Sequence, residues 1–549
     1  TWLSQGFNFL QFRKSPKDSL RIRSIDIGHI RPEPGPQLLA GESFSCFFPP
    51  GQGRLQLRGR GTVKIEQREF GEKISPPCST QLQSGFFNRT ISHDFSFSRP
   101  GTLTVAAVSG HFNISDYRFE NTATASAQPG TVFSGKPDMY VFLSDACQAA
   151  HLGVYGYPRN TSPHIDAFAA DAMVYENAYA NASFTRSSVA TLLTGLYPEN
   201  HQVRILEHGL RHELLTLFKY LKIKGYRTSL FSASPVIRPK YGFSQGVDDF
   251  FRIEPHGPGW KQDAMNILFT RWLDSPPPRF AYLHFLHPHL PEVPPADFTV
   301  PFAPSKKPIS PERMILLQNK TKDHFNPISA DELQELILGY DSSIAWVDSE
   351  FGGIISQLKR KNLYTGSLII FLADHGEAMN EHGVVGHGGN VYNETTHVPL
   401  LVKFPAYFNL KGRVRTIVEI ADIFPTISAL FNQKLKLDGR NLLAAQAAEG
   451  FDDTMAVSRS FNYCPAYGLR WKSWSYVIDL NDNGEHLYDL AVNSRQDLAR
   501  ARPQVGVFFK SRFLAWLKRF SQGSDHSLQV NLKNLPASEI EELKTLGYL

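Results

Sequence analysis

The chain is short of cysteine and of long apolar runs, and each shortage excludes a class of protein. Its four cysteines include no Cys-x-x-Cys spacing, which argues against a zinc knuckle or a dithiol redox motif. Cys46 and Cys78 each lie near a Pro-rich turn and could pair, while Cys147 and Cys464 stand far apart. No stretch approaches the roughly eighteen consecutive apolar residues of a transmembrane helix, so no membrane span is expected in this chain. Charge of one sign is also lacking. The net charge of +5 is spread along the sequence, which gives no case for a nucleic-acid partner and does not oppose an anionic substrate. Internal repeats and coiled-coil heptads are absent as well.

What remains is an ordinary globular composition, 42% hydrophobic and 20% charged, with aromatics somewhat high at 12%. A length of 549 residues exceeds one small core and implies roughly two or three domains. The sequence opens on Thr1 rather than Met, as it would after removal of a signal peptide or anchor, or after trimming. Six N-x-S/T sequons start at Asn88, Asn113, Asn160, Asn181, Asn319 and Asn393, a number that chance nearly supplies. The expectation is an extracytoplasmic protein, periplasmic or secreted.

Residues 1–135 alternate in short runs such as Thr62-Val63-Lys64-Ile65-Glu66, with turn residues between them, and predict an antiparallel β-sandwich domain. Gln128-Pro129-Gly130 and Gly135-Lys136-Pro137 mark its exit. From 136 to about 455 strands alternate with helices. Strands are expected at Met139–Leu143, Thr228–Ala233, Phe280–Phe285, Leu368–Ala373 and Val398–Phe404, and helices at Leu214–Ile223 and Asp331–Leu358. That alternation predicts a doubly wound α/β sheet. Residues 456–549 read as a small C-terminal α+β subdomain with strands at Trp474–Leu480 and His486–Leu490, a helix at Val507–Phe520, and a short helix and docking tail from Ile540.

Four places carry chemistry. Asp374-His375-Gly376-Glu377 follows a buried apolar strand, where open α/β sheets present ligand-binding residues. With Glu381-His382 and Gly386-His387-Gly388 it concentrates three histidines and three carboxylates within fourteen residues, a donor set suited to a metal. Asp145, just past the first strand, is either a further metal ligand or a helix N-cap. Ser183 to Ser188 cluster hydroxyls ahead of an apolar helix ending at Gly195, where the field of a helix N-terminus favours an oxyanion, although such clusters also serve as plain caps. The last is His284-Phe285-Leu286-His287-Pro288-His289. In a strand His284 and His287 face opposite ways, so the three cannot share one site, and His289, after the proline, is best placed for a crevice.

These motifs, in this order, resemble the sulfatase branch of the alkaline phosphatase superfamily. The resemblance is carried by His151-Leu152-Gly153-Val154-Tyr155-Gly156, Leu192-Leu193-Thr194-Gly195-Leu196-Tyr197-Pro198, Asp374-His375-Gly376-Glu377, His397-Val398-Pro399-Leu400 and Glu485-His486-Leu487-Tyr488-Asp489, from about residue 138 onward. Sulfatases carry a Cys or Ser in a C/S-x-P/A-x-R motif that becomes formylglycine. Counting back from Gly195, that position is Thr185 here, and the Pro and Arg positions depart too. A threonine resembles the phosphotransfer members: lipoteichoic acid synthases, phosphoethanolamine transferases, phosphodiesterases and phosphonate hydrolases. His387 lies thirteen residues after Asp374, at the spacing of a phosphate-contacting histidine in the transferases. Two-zinc phosphodiesterases carry Asp where Phe285 stands, and Ala146 replaces the second acid of calcium-binding sulfatases. The resemblance therefore implies one divalent metal held by Asp145, Thr185, Asp374 and His375, with Mn or Zn favoured over Ca or Mg. It implies Thr185 as nucleophile, His289 and His387 on the equatorial oxygens, and Arg186 as a further helper. The expected substrate is an anionic ester, a phosphate or phosphonate, on a lipid or glycan carrier. The alternatives are a sulfate ester attacked without formylglycine, and a non-catalytic binding protein.

Overall fold

The computed structural model describes residues 10–13, 37–39, 43–48, 51–69, 78–83, 89–97, 101–121, 136–253, 264–291, 294, 310–322, 328–443, 454–461, 464–481, 484–492, 494–520, 528–529 and 544. The expected tail helix from Ile540 falls outside the described residues but for residue 544. The chain divides into two compact units, one of residues 1–132 with 447–453 and one of 133–446 with 454–549.

In the first unit the seven described strands form one sheet with every pairing antiparallel. Two long strands, Gly51–Glu69 and Gly101–Asn121, pair along their whole lengths and change outer neighbours midway. Gly51–Gly59 pairs with Arg89–Phe97, and Thr62–Gln67 then pairs with Cys78–Gln83. The change falls at Gly59-Arg60-Gly61. Leu55, Leu57, Val63 and Ile65 are buried, as the alternation requires.

The second unit is built on an eight-stranded sheet. We number its strands β1 Met139–Ser144, β2 Met173–Tyr179, β3 Arg227–Ser232, β4 Asp249–Arg252, β5 Arg279–Phe285, β6 Leu368–Leu372, β7 Leu400–Lys403 and β8 Gly412–Glu419. Their order is β4-β3-β5-β1-β6-β7-β2-β8. Only β7 runs against the others, so the expected strand at Val398–Phe404 is shorter than the sequence suggests and antiparallel, and the sheet is mixed. Every residue of β1, β5 and β6 is buried, because both faces are covered and apolar runs fit without alternation. Strands β2, β4 and β8 carry polar residues among the apolar ones, which hid them in the sequence.

Two helices position the site. Helix α1, Thr185–Thr194, is buried at all ten residues and stops at Gly195, whose φ of +65° ends the helix in the left-handed region. Helix α2, Ala330–Arg360, opens on a capping box between Ser329 and Glu332 and lays Leu336, Tyr340, Ile344, Val347, Phe351, Ile354 and Leu358 on the core at helical spacing. Its Tyr340 hydroxyl donates to the Ala146 carbonyl at 2.6 Å and accepts from the Gln148 amide at 2.8 Å, bracing the loop after β1.

The remaining strands, β9 Ala456–Ser460, β10 Ala466–Trp471, β11 Trp474–Asp479 and β12 Glu485–Asp489, make an antiparallel meander. Helix α3, Pro503–Leu517, packs on it through Phe509 against Tyr476 and Phe513 against Tyr467. Strand β9 runs along the chain leading into α1: the Arg459 amide donates to the Asn181 carbonyl at 3.0 Å, and the Ser183 amide to the Arg459 carbonyl at 3.1 Å. Asn181, one of the sequon positions, is buried and donates to Glu419, whereas Asn160 is exposed. Among the described residues no helix is long and apolar enough to cross a membrane.

Candidate active site

The carboxyl ends of β1, β5 and β6 and the first turn of α1 converge. The register of the parallel strands sets Leu143 beside His284 and Leu372, so the residues just beyond β1 and β6, Asp145 and Asp374, emerge together. The Ser188 hydroxyl of α1 donates to the Asp374 carbonyl at 2.6 Å and fixes the helix against this edge. Thr185 Oγ1 then lies 3.0 Å from His375 Nε2 and 3.4 Å from Asp145 Oδ1. His375 Nε2 is 3.6 Å from Asp145 Oδ1 and 3.4 Å from Asp374 Oδ2. All four residues are fully buried. The structure thus brings together Asp145, Thr185, Asp374 and His375, which stand up to 230 positions apart in the chain.

The donor set fits a divalent cation. Asp145, His284 and Asp374 offer ligand atoms that all lie within 4.8 Å of one another. Burial, and next the Asp374 carboxylate, push the Asp145 carboxyl well above the usual range. Asp374 Oδ2 is buried without a hydrogen-bond partner, while its Oδ1 accepts from the amides of Ala146 and His375 at 3.2 and 3.0 Å. His375 Nδ1 lies 3.0 Å from the Gly376 carbonyl, the contact that commits Nδ1–H outward and aims Nε2 at the cluster. Gly376 is required there: a Cβ would meet the Glu394 carbonyl oxygen at 2.1 Å.

The histidines of the third motif separate as strand alternation requires. His287 packs on Trp346 with ring centroids 4.2 Å apart. His284 and His289 both reach the site, so the proline turn returns the chain to the crevice. His284 Nε2 is 3.0 Å from Asp145 Oδ2. His289 lies 4.6 Å from His387 between ring centroids, and His387 stacks on His375 at 4.2 Å. Burial holds His284 and His387 at about 4, and burial with the nearby His387 holds His289 at about 3, so all three are neutral imidazoles at pH 7.

Arg186 follows Thr185 but is held away from it: its guanidinium donates to the Leu206 carbonyl and lies over the Tyr241 ring at 3.8 Å. His382 leaves the cluster as well, donating or accepting at Glu394 across 2.8 Å and stacking on Tyr392. The sequence offered Glu377 only as part of the Asp374 motif and Ser188 only within the hydroxyl cluster, did not single out Gln148, and gave His284 no place in the site. For His284 the signal was available, since an imidazole one residue short of a strand end in an apolar run needs a buried partner. Ser188 and Gln148 act through contacts across 186 to 233 positions, and Glu377 joins His387, 10 positions on, to Leu290, 87 positions back, which no local pattern shows.

Residues 137–433, more than half of the chain, match the family model described as Sulfatase, and the chain belongs to that family. It is 26% identical to the ulvan-active sulfatase of Formosa agariphila over 56% of this chain and 64% of that protein, so it spans a little under two thirds of that relative. It is 23% identical to the human iduronate 2-sulfatase over 50% of this chain and 60% of that protein. Among solved structures, a 2-O GAG sulfatase superposes with a TM-score of 0.59 at 18% identity, over 71% of this chain and 93% of that one. The phosphonate monoester hydrolase of Agrobacterium radiobacter superposes with a TM-score of 0.57 at 20% identity, over 72% and 100%. Both likenesses describe the α/β fold.

Proposed function

We propose that this protein is a metal-dependent hydrolase or transferase of phosphate or phosphonate esters whose nucleophile is Thr185. The observation that carries this reading is Thr185 Oγ1, at the buried start of α1, within 3.4 Å of Asp145 and 3.0 Å of His375. Asp145, Thr185, Asp374 and His375 would hold a divalent cation, with His284 beside them; when bound, it lowers the pKa of a hydroxyl and offsets charge on the ester oxygens. Oxygen and imidazole donors suit Mn or Zn.

Thr185 Oγ1 attacks phosphorus in line. The new O–P bond forms as the bond to the leaving oxygen breaks; the Thr185 hydroxyl proton is taken up by an imidazole of the pocket and passed to the departing oxygen. The helix N-terminus favours the negative charge that gathers at this point. His289 and His387 line the same pocket and are placed to meet the phosphoryl oxygens and the leaving group. Water attacking phosphorus then releases the phosphoryl group and restores the Thr185 hydroxyl; an alcohol in place of water completes a transfer. Threonine cannot pass through the aldehyde hydrate of a formylglycine, so the intermediate must be opened by attack at the central atom. Arg186 serves this scheme by anchoring α1 through Leu206 and Tyr241. An extracytoplasmic location goes with substrates on lipid or glycan.

One observation favours a second reading, a sulfate ester attacked by the same hydroxyl: the matched family and several similar proteins are named sulfatases. Turnover of 4-nitrophenyl phosphate, bis-4-nitrophenyl phosphate, a 4-nitrophenyl phosphonate and 4-nitrophenyl sulfate, with Mn, Zn, Mg or Ca, decides between them. Diester or phosphonate turnover lost in Thr185→Ala supports the proposal, and sulfate turnover alone overturns it. Silence throughout, with no bound metal, favours a binding protein.

A further inference from the structure

Glu377 is fully buried and spans the two imidazoles that face the pocket. Its Oε1 lies 2.8 Å from His387 Nδ1, and its Oε2 accepts the Leu290 amide at 3.0 Å, on the residue next to His289. Its carbonyl in turn accepts from the Gln148 side chain, which ties the same segment to the loop carrying Asp145. We infer that Glu377 is a positioning residue that holds His387 as its Nδ1–H tautomer and locks it to the His289 turn, so that His387 Nε2 is the nitrogen presented to the leaving group. This rests on the nucleophile reading above.

Donors and acceptors around Glu377 fix the tautomer. The Leu290 amide can only donate, so it claims one oxygen of Glu377. The other oxygen, with Glu377 ionised, is an acceptor and requires the proton on His387 Nδ1. Nε2 of a neutral imidazole in this state has a lone pair, and it can take a proton and hand it back to a departing oxygen. In Glu377→Gln the Leu290 amide claims the amide oxygen, which turns the side-chain NH2 toward His387. Nδ1 must then accept, and the proton moves to Nε2. A fixed Nε2–H still donates a hydrogen bond to a bound ester but can no longer cycle a proton.

The test uses purified full-length wild type and Glu377→Gln loaded with the supporting metal, on phenyl and 4-nitrophenyl esters of one phosphonate. The phenyl ester, with its poorer leaving group, should lose about 10–100-fold in kcat, the usual effect of removing such a supporting contact. KM, metal content and the 4-nitrophenyl rate should stay near wild type. Equal losses on both esters, or none, overturn the inference, because a general structural defect does not discriminate between leaving groups. Long-range 1H–15N spectra of 15N-histidine-labelled protein give a second reading independent of turnover, with the His387 signal assigned by its loss in His387→Gln. Wild-type His387 should be the Nδ1–H form; finding it as Nε2–H overturns the inference whether or not the variant folds. Thr185→Ala turning over at the wild-type rate would instead overturn the nucleophile reading, and the tautomer result would stand apart from it.

Discussion

His284 Nε2 lies 3.0 Å from Asp145 Oδ2, and both side chains are fully buried. The other nitrogen of His284 meets the Tyr282 hydroxyl at 3.0 Å, so β5 holds a metal-ligand candidate of β1 through an imidazole fixed at both ends. His284→Gln should weaken metal affinity about 10–100-fold, read by competition with a chromogenic chelator. An unchanged affinity would reduce His284 to a packing residue.

Thr185→Ala should lower kcat by at least ~10³-fold while leaving the melting temperature within a few degrees of wild type. Thr185→Ser keeps the hydroxyl and should retain measurable turnover. With a slow diester, acid quenching should trap one phosphoryl group on the peptide containing Thr185, seen by mass spectrometry. Turnover by Thr185→Ala at the wild-type rate would end its candidacy.

Chelation and Asp374→Asn should act in opposite directions on stability. A metal at a hundred times its Kd adds about 2.7 kcal/mol, so EDTA should lower the melting temperature of wild type. Without metal, Asp374→Asn relieves the repulsion that pushes Asp145 upward, and the variant should melt above chelated wild type. The variant should also lose its response to added Mn or Zn. Identical scans with and without EDTA would contradict the metal site.

A pH dependence follows from His201, which is buried against helix α1. Its Nε2 meets the Thr191 hydroxyl at 3.0 Å, and its Nδ1 accepts the Val203 amide at 3.0 Å, which keeps the ring neutral. Burial, then Arg204 and Arg211, push it down from 6.5 to about 3. The unfolded chain therefore binds a proton that the fold refuses between those values, and stability falls as pH drops below about 6.5. The loss should reach about 2 kcal/mol between pH 7 and pH 5. His201→Asn, which keeps an acceptor for Val203, should show a shallower fall in melting temperature over that range. Parallel curves for the two proteins would refute it.

The strands that mattered were legible because burial on both faces turns them into apolar runs: β1, β5 and β6 are buried at every residue. Asp145, Thr185, Asp374 and His375 stand at or just beyond the ends of such elements, so the site could be read from the chain. Strand β7 was legible but its direction was not, since an apolar run looks the same read either way. Strand β9 carries Arg459 and two serines and gave no apolar run, yet it supports Asn181 and Ser183, the residues leading into Thr185. Arg186 looked catalytic because it adjoins Thr185, the proposed nucleophile, but successive residues of a helix point about 100° apart.

Helix α1 has no solvent face: all ten of its residues are buried, and Gly195 at its end packs against Phe424 and Pro425. A helix enclosed in this way cannot slide or tilt to accommodate a larger residue at its start. Exchange of the attacking group is thereby confined to side chains of nearly the same volume, serine, threonine or cysteine. The chemistry of this pocket can therefore change by the loss of one methyl group at a single position, with or without sulfur in place of oxygen, while the surrounding core stays as it is.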